Sequence, residues 1–453
     1  MIQPIDVPTP ASLHGASAEW QGLVSAFMAH SAKVPDRLAA VAAVGDGSPA
    51  FLAAKGLIFL LLGRRELATE AAHLHQSAEK ALREIAHPSF HDRTMVAALG
   101  AWLAGRPSRS AALFDEILAV TPGDGFAMKM AQAIRFLYGD AAGMRRSAEA
   151  AIGGFADTHP QAGYAHGCYA FACEETGDLA LAERAGVRAL ELANDDAWAL
   201  HAVAHVHEMR GHPHKGRDWL LPRQQSFAGC SNFRHHVWWH YALFELELGN
   251  IERVLDLYDT EIRHEHTDDY RDIANAVSLL ARLEAEGVEV GTRWDELSTI
   301  AERRIDDGCV VFADLHYLMA LLAADRQDAA DRLIERMAQA GDGSEFGSVA
   351  ASAGATAGGG LAALRRGHHD EALKGLMTAR GELKQIGGSH AQRDVFERLT
   401  IDAALRAGRP AEARSLIKDR AMRRGAYDRF GLERLLRCGP AKVDSPIVSA
   451  AAF

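Results

Sequence analysis

The chain has 453 residues, 48% hydrophobic and 24% charged, with a formal net charge of −11. That is enough for a large core and excludes disorder over most of the length. Basic residues are scattered, occurring only as short pairs such as Arg303-Arg304, Arg365-Arg366 and Arg423-Arg424, so there is no phosphate-tracking stripe and nucleic acid is not an expected partner.

At the N-terminus, Met-Ile-Gln-Pro-Ile-Asp-Val-Pro lacks the basic and then apolar order of a signal peptide. The most apolar run, Gly56 to Gly63, is far shorter than the ~20 residues that span a bilayer, so no membrane association is expected. Cys168, Cys173, Cys230, Cys309 and Cys438 are odd in number and never in Cys-x-x-Cys spacing, which suits a reducing cytoplasm.

From residue 63 onward one kind of phrase recurs: a turn residue, a few polar residues, then an alanine-containing amphipathic helix. Examples are Gly63-Arg-Arg-Glu-Leu-Ala, Gly105-Arg-Pro-Ser-Arg-Ser, Gly177-Asp-Leu-Ala-Leu-Ala, Gly249-Asn-Ile-Glu-Arg-Val, Gly367-His-His-Asp-Glu-Ala and Gly408-Arg-Pro-Ala-Glu-Ala, with Gly139, Gly211, Gly287 and Asp325 as weaker instances. Successive intervals are 42, 34, 38, 34, 38, 38, 38, 42 and 41 residues. Such a period signals stacked helical hairpins. Ala68, Ala182, Ala372 and Ala413 each follow their turn glycine by five residues, as the small residue does in the second half of a tetratricopeptide repeat. The expected architecture is all-α: an α-solenoid of about nine or ten tetratricopeptide-like hairpins over residues 1–438, curled into a superhelix. A loose tail is expected over 439–453.

Of the histidines between residues 197 and 245, six stand in two groups at helical spacings: His201, His205, His207, His235, His236 and His240. His201, His205 and Glu208 stand at i, i+4 and i+7, one stripe of a helix, and His236 and His240 repeat the i, i+4 spacing. With Gly211 as position 15 of a tetratricopeptide repeat, His201, His205 and Glu208 fall at positions 5, 9 and 12, which line the concave groove. With Gly249 as position 15, His236 and Trp239 fall at 2 and 5, and His240 at 6, one step off that face. If the two helices pack side by side, four imidazoles converge.

His201, His205 and His240 would then suit a divalent metal such as zinc, with Glu208 or His236 completing the set. Without a metal, His205 and His240 would serve as acid–base groups, oriented by His201 and Glu208. The plainer alternative is that these histidines hydrogen-bond between packed helices. The metalloprotease motif is absent, because His207-Glu208-Met-Arg-Gly-His212 has one residue too many. Trp198, Trp219, Trp238 and Trp239 crowd the same stretch, as an apolar wall for a ligand or simply as core.

Further along, Asp314 and His316 open one predicted helix, and His390, Arg393 and Asp394 open another. They become substrate-binding candidates if the solenoid curls onto itself, with Arg393 holding an anionic group. Read alone, Asp314 is an N-cap and Arg393 a salt-bridge partner. Between them, the glycine-rich stretch from Gly341 to Gly360 is expected to be a loop and then a tightly packed small-residue helix, because the repeat register requires a helix before Gly367.

Three segments, His201-Ala-Val-Ala-His-Val-His-Glu-Met-Arg-Gly211, Trp238-Trp-His-Tyr-Ala-Leu243 with Leu257-Tyr-Asp-Thr-Glu-Ile262, and Ile386-Gly-Gly-Ser-His-Ala-Gln-Arg-Asp-Val-Phe396, resemble the signatures of the family named after tetratricopeptide repeat protein 38. The resemblance implies an all-α array of irregular repeats in which His201, His205, His207, Glu208, His240 and the Gln392-Arg393-Asp394 triplet belong to the pattern. It implies no particular activity. No Gly-x-Ser-x-Gly elbow, phosphate loop or dinucleotide fingerprint is present, so no nucleotide cofactor is expected. The functional expectation is a histidine-lined pocket that binds and transforms a small molecule by hydrolase- or lyase-type chemistry, acid–base or metal-assisted. The alternative is a non-enzymatic scaffold binding a peptide or protein partner, or a further copy of the chain, in its groove.

Overall fold

The computed structural model describes residues 7–341 and 343–439; the expected tail beyond 439 lies outside the described residues. Two helices, α1 (Ser17–Met28) and α2 (Val34–Gly45), precede the repeats. Hairpins follow: α3 (Pro49–Leu60) with α4 (Arg65–Glu84), α5 (Phe90–Leu103) with α6 (Pro107–Val120), α7 (Gly125–Tyr138) with α8 (Ala141–Ala151), α9 (Ala162–Glu175) with α10 (Leu179–Leu192), and α11 (Ala197–Met209) with α12 (Pro213–Leu220). The second half runs α13 (Phe233–Glu247) with α14 (Ile251–Leu257), α15 (Tyr270–Ala285) with α16 (Arg293–Arg304), and α17 (Val311–Ala323) with α18 (Gln327–Ala338). It ends with α19 (Glu345–Val349) leading into α20 (Ala355–Arg365) with α21 (His369–Arg380), then α22 (His390–Arg406) with α23 (Pro410–Arg424), and finally α24 (Arg429–Arg437). Among the described residues the only β feature is an isolated bridge between Ser31 and Cys230, and no helix is long and apolar enough to cross a membrane. The fold is an all-α solenoid of tetratricopeptide-like hairpins.

The turn phrases do the work their chemistry suggests. Each of the turn glycines named above takes a positive φ, between 63° and 86°, and Asp325 stands at 59°. This left-handed step lets the chain leave one helix and enter the next, and only glycine takes it without strain from a Cβ. Ala182, Ala372 and Ala413 are fully buried between paired helices, and Ala68 is half-buried. The glycine-rich stretch forms the helix the register requires, with a π-helical turn at Ala350–Gly354 between α19 and α20. There α20 and α21 touch at backbone distance: a Cβ on Gly375 would lie 3.0 Å from the Cα of Gly360.

The solenoid curls until its two halves meet along the turn edge. Gly63 packs on Tyr270 and Val310, and Arg304 pairs with Glu66 at 2.8 Å. The carbonyl of Gly105 accepts from the N–H of Glu345 at 2.9 Å. Gly139 abuts the backbone at Lys384, the end of α9 meets His390, and Glu208 at the end of α11 meets Arg424 at 3.3 Å. Glu247, the last residue of α13, and Glu286, just after α15, meet Arg429 and Arg434. Successive turns of the first half thus dock on successive segments of the second, and the inner faces of α9, α11 and α13 are sealed inside.

Candidate metal centre

α11 is set by an N-cap: the Asp196 carboxylate accepts from the N–H groups of Trp198 and Ala199, satisfying donors that an α-helix start leaves open. Its alanines, Ala199, Ala202 and Ala204, are fully buried and let α9 and α13 approach closely. The stripe His201, His205, Glu208 then faces inward. α13 crosses beside it and supplies His236 and His240. The Nε2 atom of His201 lies 2.8 Å from that of His205 and 3.1 Å from that of His236. The Nε2 of His240 lies 3.2 Å from that of His236. One ligand atom from each of the four falls within 4.8 Å of every other. Tetrahedral zinc–imidazole bonds of ~2.0–2.1 Å place neighbouring nitrogens about 3.3–3.4 Å apart, and the three Nε2 pairs at 2.8, 3.1 and 3.2 Å are somewhat closer than that.

The outer nitrogens are backed by acceptors. His236 donates from Nδ1 to the Oδ1 of Asn275 at 2.8 Å. Glu174 Oε2 stands 3.2 Å from His205 Nδ1, and Glu208 Oε2 stands 3.3 Å from His240 Nδ1. A neutral imidazole has one N–H and one lone pair, so an acceptor at Nδ1 keeps the proton there and turns the lone pair of Nε2 toward the centre. One N–H on His201 Nε2 satisfies one neighbour and leaves the rest facing lone pair to lone pair. Such a set is complementary to a cation.

The surroundings oppose protonation of His201, His236 and His240, chiefly through burial. Burial and the other three histidines lower His201 well below the usual imidazole range. Burial, with His205 next, brings His240 down to about 4. Phe171, Trp198 and Phe233 contact His201, with ring centroids 5.1–5.4 Å away, and Trp239 stacks on His236 at 5.3 Å. Burial opposes ionisation of Glu208, but His240 and Arg424 beside it hold its carboxyl well below the ordinary value.

No family model matches the chain. Among solved structures, it is similar to the human IFIT1 dimer with PPP-AAAA, at 13% identity over 96% of this chain and 95% of that one, with a TM-score of 0.43. It is also similar to the human IFIT1 dimer with m7Gppp-AAAA, at 14% identity over 86% and 89%, with a TM-score of 0.40. These likenesses concern the fold. One expectation is withdrawn, the exclusion of nucleic acid as a partner: both of these structures include an oligonucleotide. The physical basis of that exclusion was weak, since a search for runs of Lys and Arg in the sequence cannot see basic residues that a fold brings together from distant segments.

The other candidates divide. His390, the first residue of α22, joins the site: its Nε2 is 2.9 Å from Glu174 Oε1 and its Nδ1 2.9 Å from Glu175 Oε1. A capping box sets it there, in which Ser389 and Gln392 exchange hydrogen bonds at the helix start. Arg393 stands behind, 3.7 Å from Glu175 and donating to the carbonyl of Gly387. Trp239 is fully buried and donates to Ser278. Asp394 faces away, held by Arg398 at 2.8 Å and Arg420 at 2.6 Å. Asp314 and His316 are not at the centre: Asp314 pairs with Arg336 at 2.6 Å, and His316 bonds the Phe312 carbonyl at 2.7 Å and packs on Phe396. His207 lies on the far side of α11 against Trp219. His240, one step off the groove by repeat numbering, is nevertheless fully buried in the cluster.

Glu174, Glu175 and Asn275 escaped the sequence reading. For Glu174 a signal existed, since it precedes Gly177 by three residues as Glu208 precedes Gly211.

Proposed function

We propose that the protein holds a divalent first-row metal ion among His201, His205, His236 and His240 and uses it on a small molecule in metal-assisted chemistry of the hydrolase or lyase type. The observation that carries this reading is the convergence of four Nε2 atoms whose outer nitrogens, in three of the four rings, face Glu174, Glu208 and Asn275. An all-imidazole set suits zinc, copper, iron or nickel. Bound there, the ion would polarise a substrate oxygen or lower the pKa of a bound water. Of the four, His205, His236 and His240 each have a side-chain oxygen within 3.3 Å of Nδ1, whereas the Nδ1 of His201 is buried with no hydrogen-bond partner, so His201 is the ligand held least firmly and the one to yield a position to water or substrate. A peptide-capturing groove receives less support, because the inner faces of α9, α11 and α13 are buried under the second half of the chain.

The array over residues 1–438 would act as one unit, with membership in the tetratricopeptide repeat protein 38 family supported by the three motif segments. The five unpaired cysteines support a cytoplasmic home. Elemental analysis of the purified protein tests the metal reading, with zinc and cobalt(II) titration of any metal-free preparation. Close to one ion bound per chain, lost in His201→Ala and His205→Ala variants of unchanged helicity, is the expected result. A wild-type protein that carries no metal and takes up neither ion would overturn it.

A further inference from the structure

Immediately beside the four-histidine centre lies a second group of ligands that the first does not use. Glu174, Glu175, His205 and His390 each bring one donor atom within 4.8 Å of the others. The two groups share one residue: Nε2 of His205 faces the histidines and Nδ1 faces Glu174. An acidic cluster by itself signifies little, but here two of the four residues, Glu174 and His205, are fully buried and three of the four carry buried polar atoms without a hydrogen bond. Glu174 is 1% exposed and His205 not at all. Although nitrogens and oxygens approach to 2.9–3.2 Å, both carboxylate oxygens of Glu174, Nδ1 of His205 and Nε2 of His390 make no hydrogen bond. Buried polar atoms of native proteins nearly always find a partner, and groups of them that do not point to something held between them.

Resting on the four-histidine reading, we infer that His205 is a bridging imidazolate and that Glu174, Glu175 and His390 complete a second divalent-cation site on its Nδ1 side. The donor set, two imidazole nitrogens with two carboxylates, is harder than the all-imidazole set next door. It suits zinc, manganese or iron(II), where the first suits zinc, copper, iron or nickel. The proton balance is simple: entry of the second ion displaces the Nδ1 proton of His205 and the proton shared by His390 with the two glutamates. Uptake of the second equivalent therefore releases more protons than uptake of the first, for which the one Nε2 proton, that of His201, need only move to its own unpartnered Nδ1. Arg393, 3.7 Å from Glu175, stands behind the carboxylate as an outer partner and steadies it. The two ions would be separated by one imidazole ring.

Copper(II) is the probe that distinguishes the two readings, because two copper(II) ions across an imidazolate couple magnetically. Metal-free protein titrated with copper(II) is expected to bind two equivalents. The paramagnetic signal should grow through the first equivalent and broaden or fall through the second. His390→Ala and the isosteric Glu175→Gln should each bind one equivalent, with an uncoupled signal and unchanged helicity. A wild-type protein that stops at one equivalent, or a Glu175→Gln variant that still takes two with coupling, would overturn the second site and leave the first standing. A wild-type protein that binds no ion would overturn the first site and the second with it.

Discussion

Glu208 is pulled in two directions. Burial favours its neutral acid, whereas His240 on one oxygen and Arg424 on the other favour the carboxylate and prevail. The charged form is what keeps the proton of His240 on Nδ1 and its Nε2 open to the centre. Glu208→Gln preserves the volume and removes the charge. Zinc affinity should fall about 10- to 100-fold, as is typical when a partner behind a ligating histidine is lost, with little change in helicity. Competition with a chromophoric chelator would measure it, and an undiminished affinity would show that Glu208 does not orient His240. Glu208 was legible in the sequence because it completes an i, i+4, i+7 stripe with two histidines. Glu174 sits at the same place relative to its turn, but Phe171 occupies the position that His205 fills one repeat later, so no stripe announced it. Asn275 and His390 come from other helices, and nothing local marks them.

The last three helices are joined by a buried ionic lock. Asp394 on α22 receives Arg398 and Arg420, and Asp428, the N-cap of α24, receives the same two arginines. The Asp394 side chain is 8% exposed and that of Arg420 3%, so removing one member strands charge in the interior. Asp394→Asn should cost about 3–5 kcal/mol, read as a shift in the denaturant midpoint, whereas an exposed pair such as Arg409 with Asp370 should cost no more than about 1 kcal/mol. Burial alone would raise both aspartates, yet Arg420 and Arg398 hold them below the ordinary carboxylate range. Unfolded aspartate titrates near ~3.9. Below that value the unfolded chain binds more protons than the folded one, so the stabilisation is complete above about pH 4 and declines as pH falls through the lower folded values. An acid titration should therefore destabilise the wild type more steeply than Asp394→Asn; parallel curves would remove Asp394 from the acid response. Sequence reasoning gave Asp394 a place in the ligand site because it adjoins Arg393. One partner, Arg398, stands at i+4 on the same helix, but Arg420, which ties Asp394 to the next helix, is 26 residues further on, and no periodicity connects it.

Over the whole molecule the repeats and their turns were legible, because a left-handed step leaves a glycine at a regular interval. The closure was not, since it depends on how small rotations between hairpins accumulate until turns from the first half meet segments 200 or more residues away, as Gly105 meets Glu345 and Glu208 meets Arg424. Two turn glycines separate the two effects. Gly139 and Gly177 both have positive φ, 74° and 86°. A Cβ at Gly177 would meet nothing within 4 Å, whereas one at Gly139 would run into the backbone carbonyl of Lys384. Gly177→Ala should therefore show only the cost of a left-handed alanine, about 1–2 kcal/mol. Gly139→Ala should lose more, because a carbonyl in the backbone cannot swing aside as a side chain would, and the strand of chain leading to His390 must shift with it. If the seam holds in solution, Gly139→Ala will also weaken zinc binding, since His390, a few residues beyond the displaced segment, pairs with the α9 carboxylates beside the histidines. Equal losses of stability in the two variants, with equal zinc affinity, would mean that the two halves are not docked there, and that the histidines face a groove open to larger partners than a metal ion.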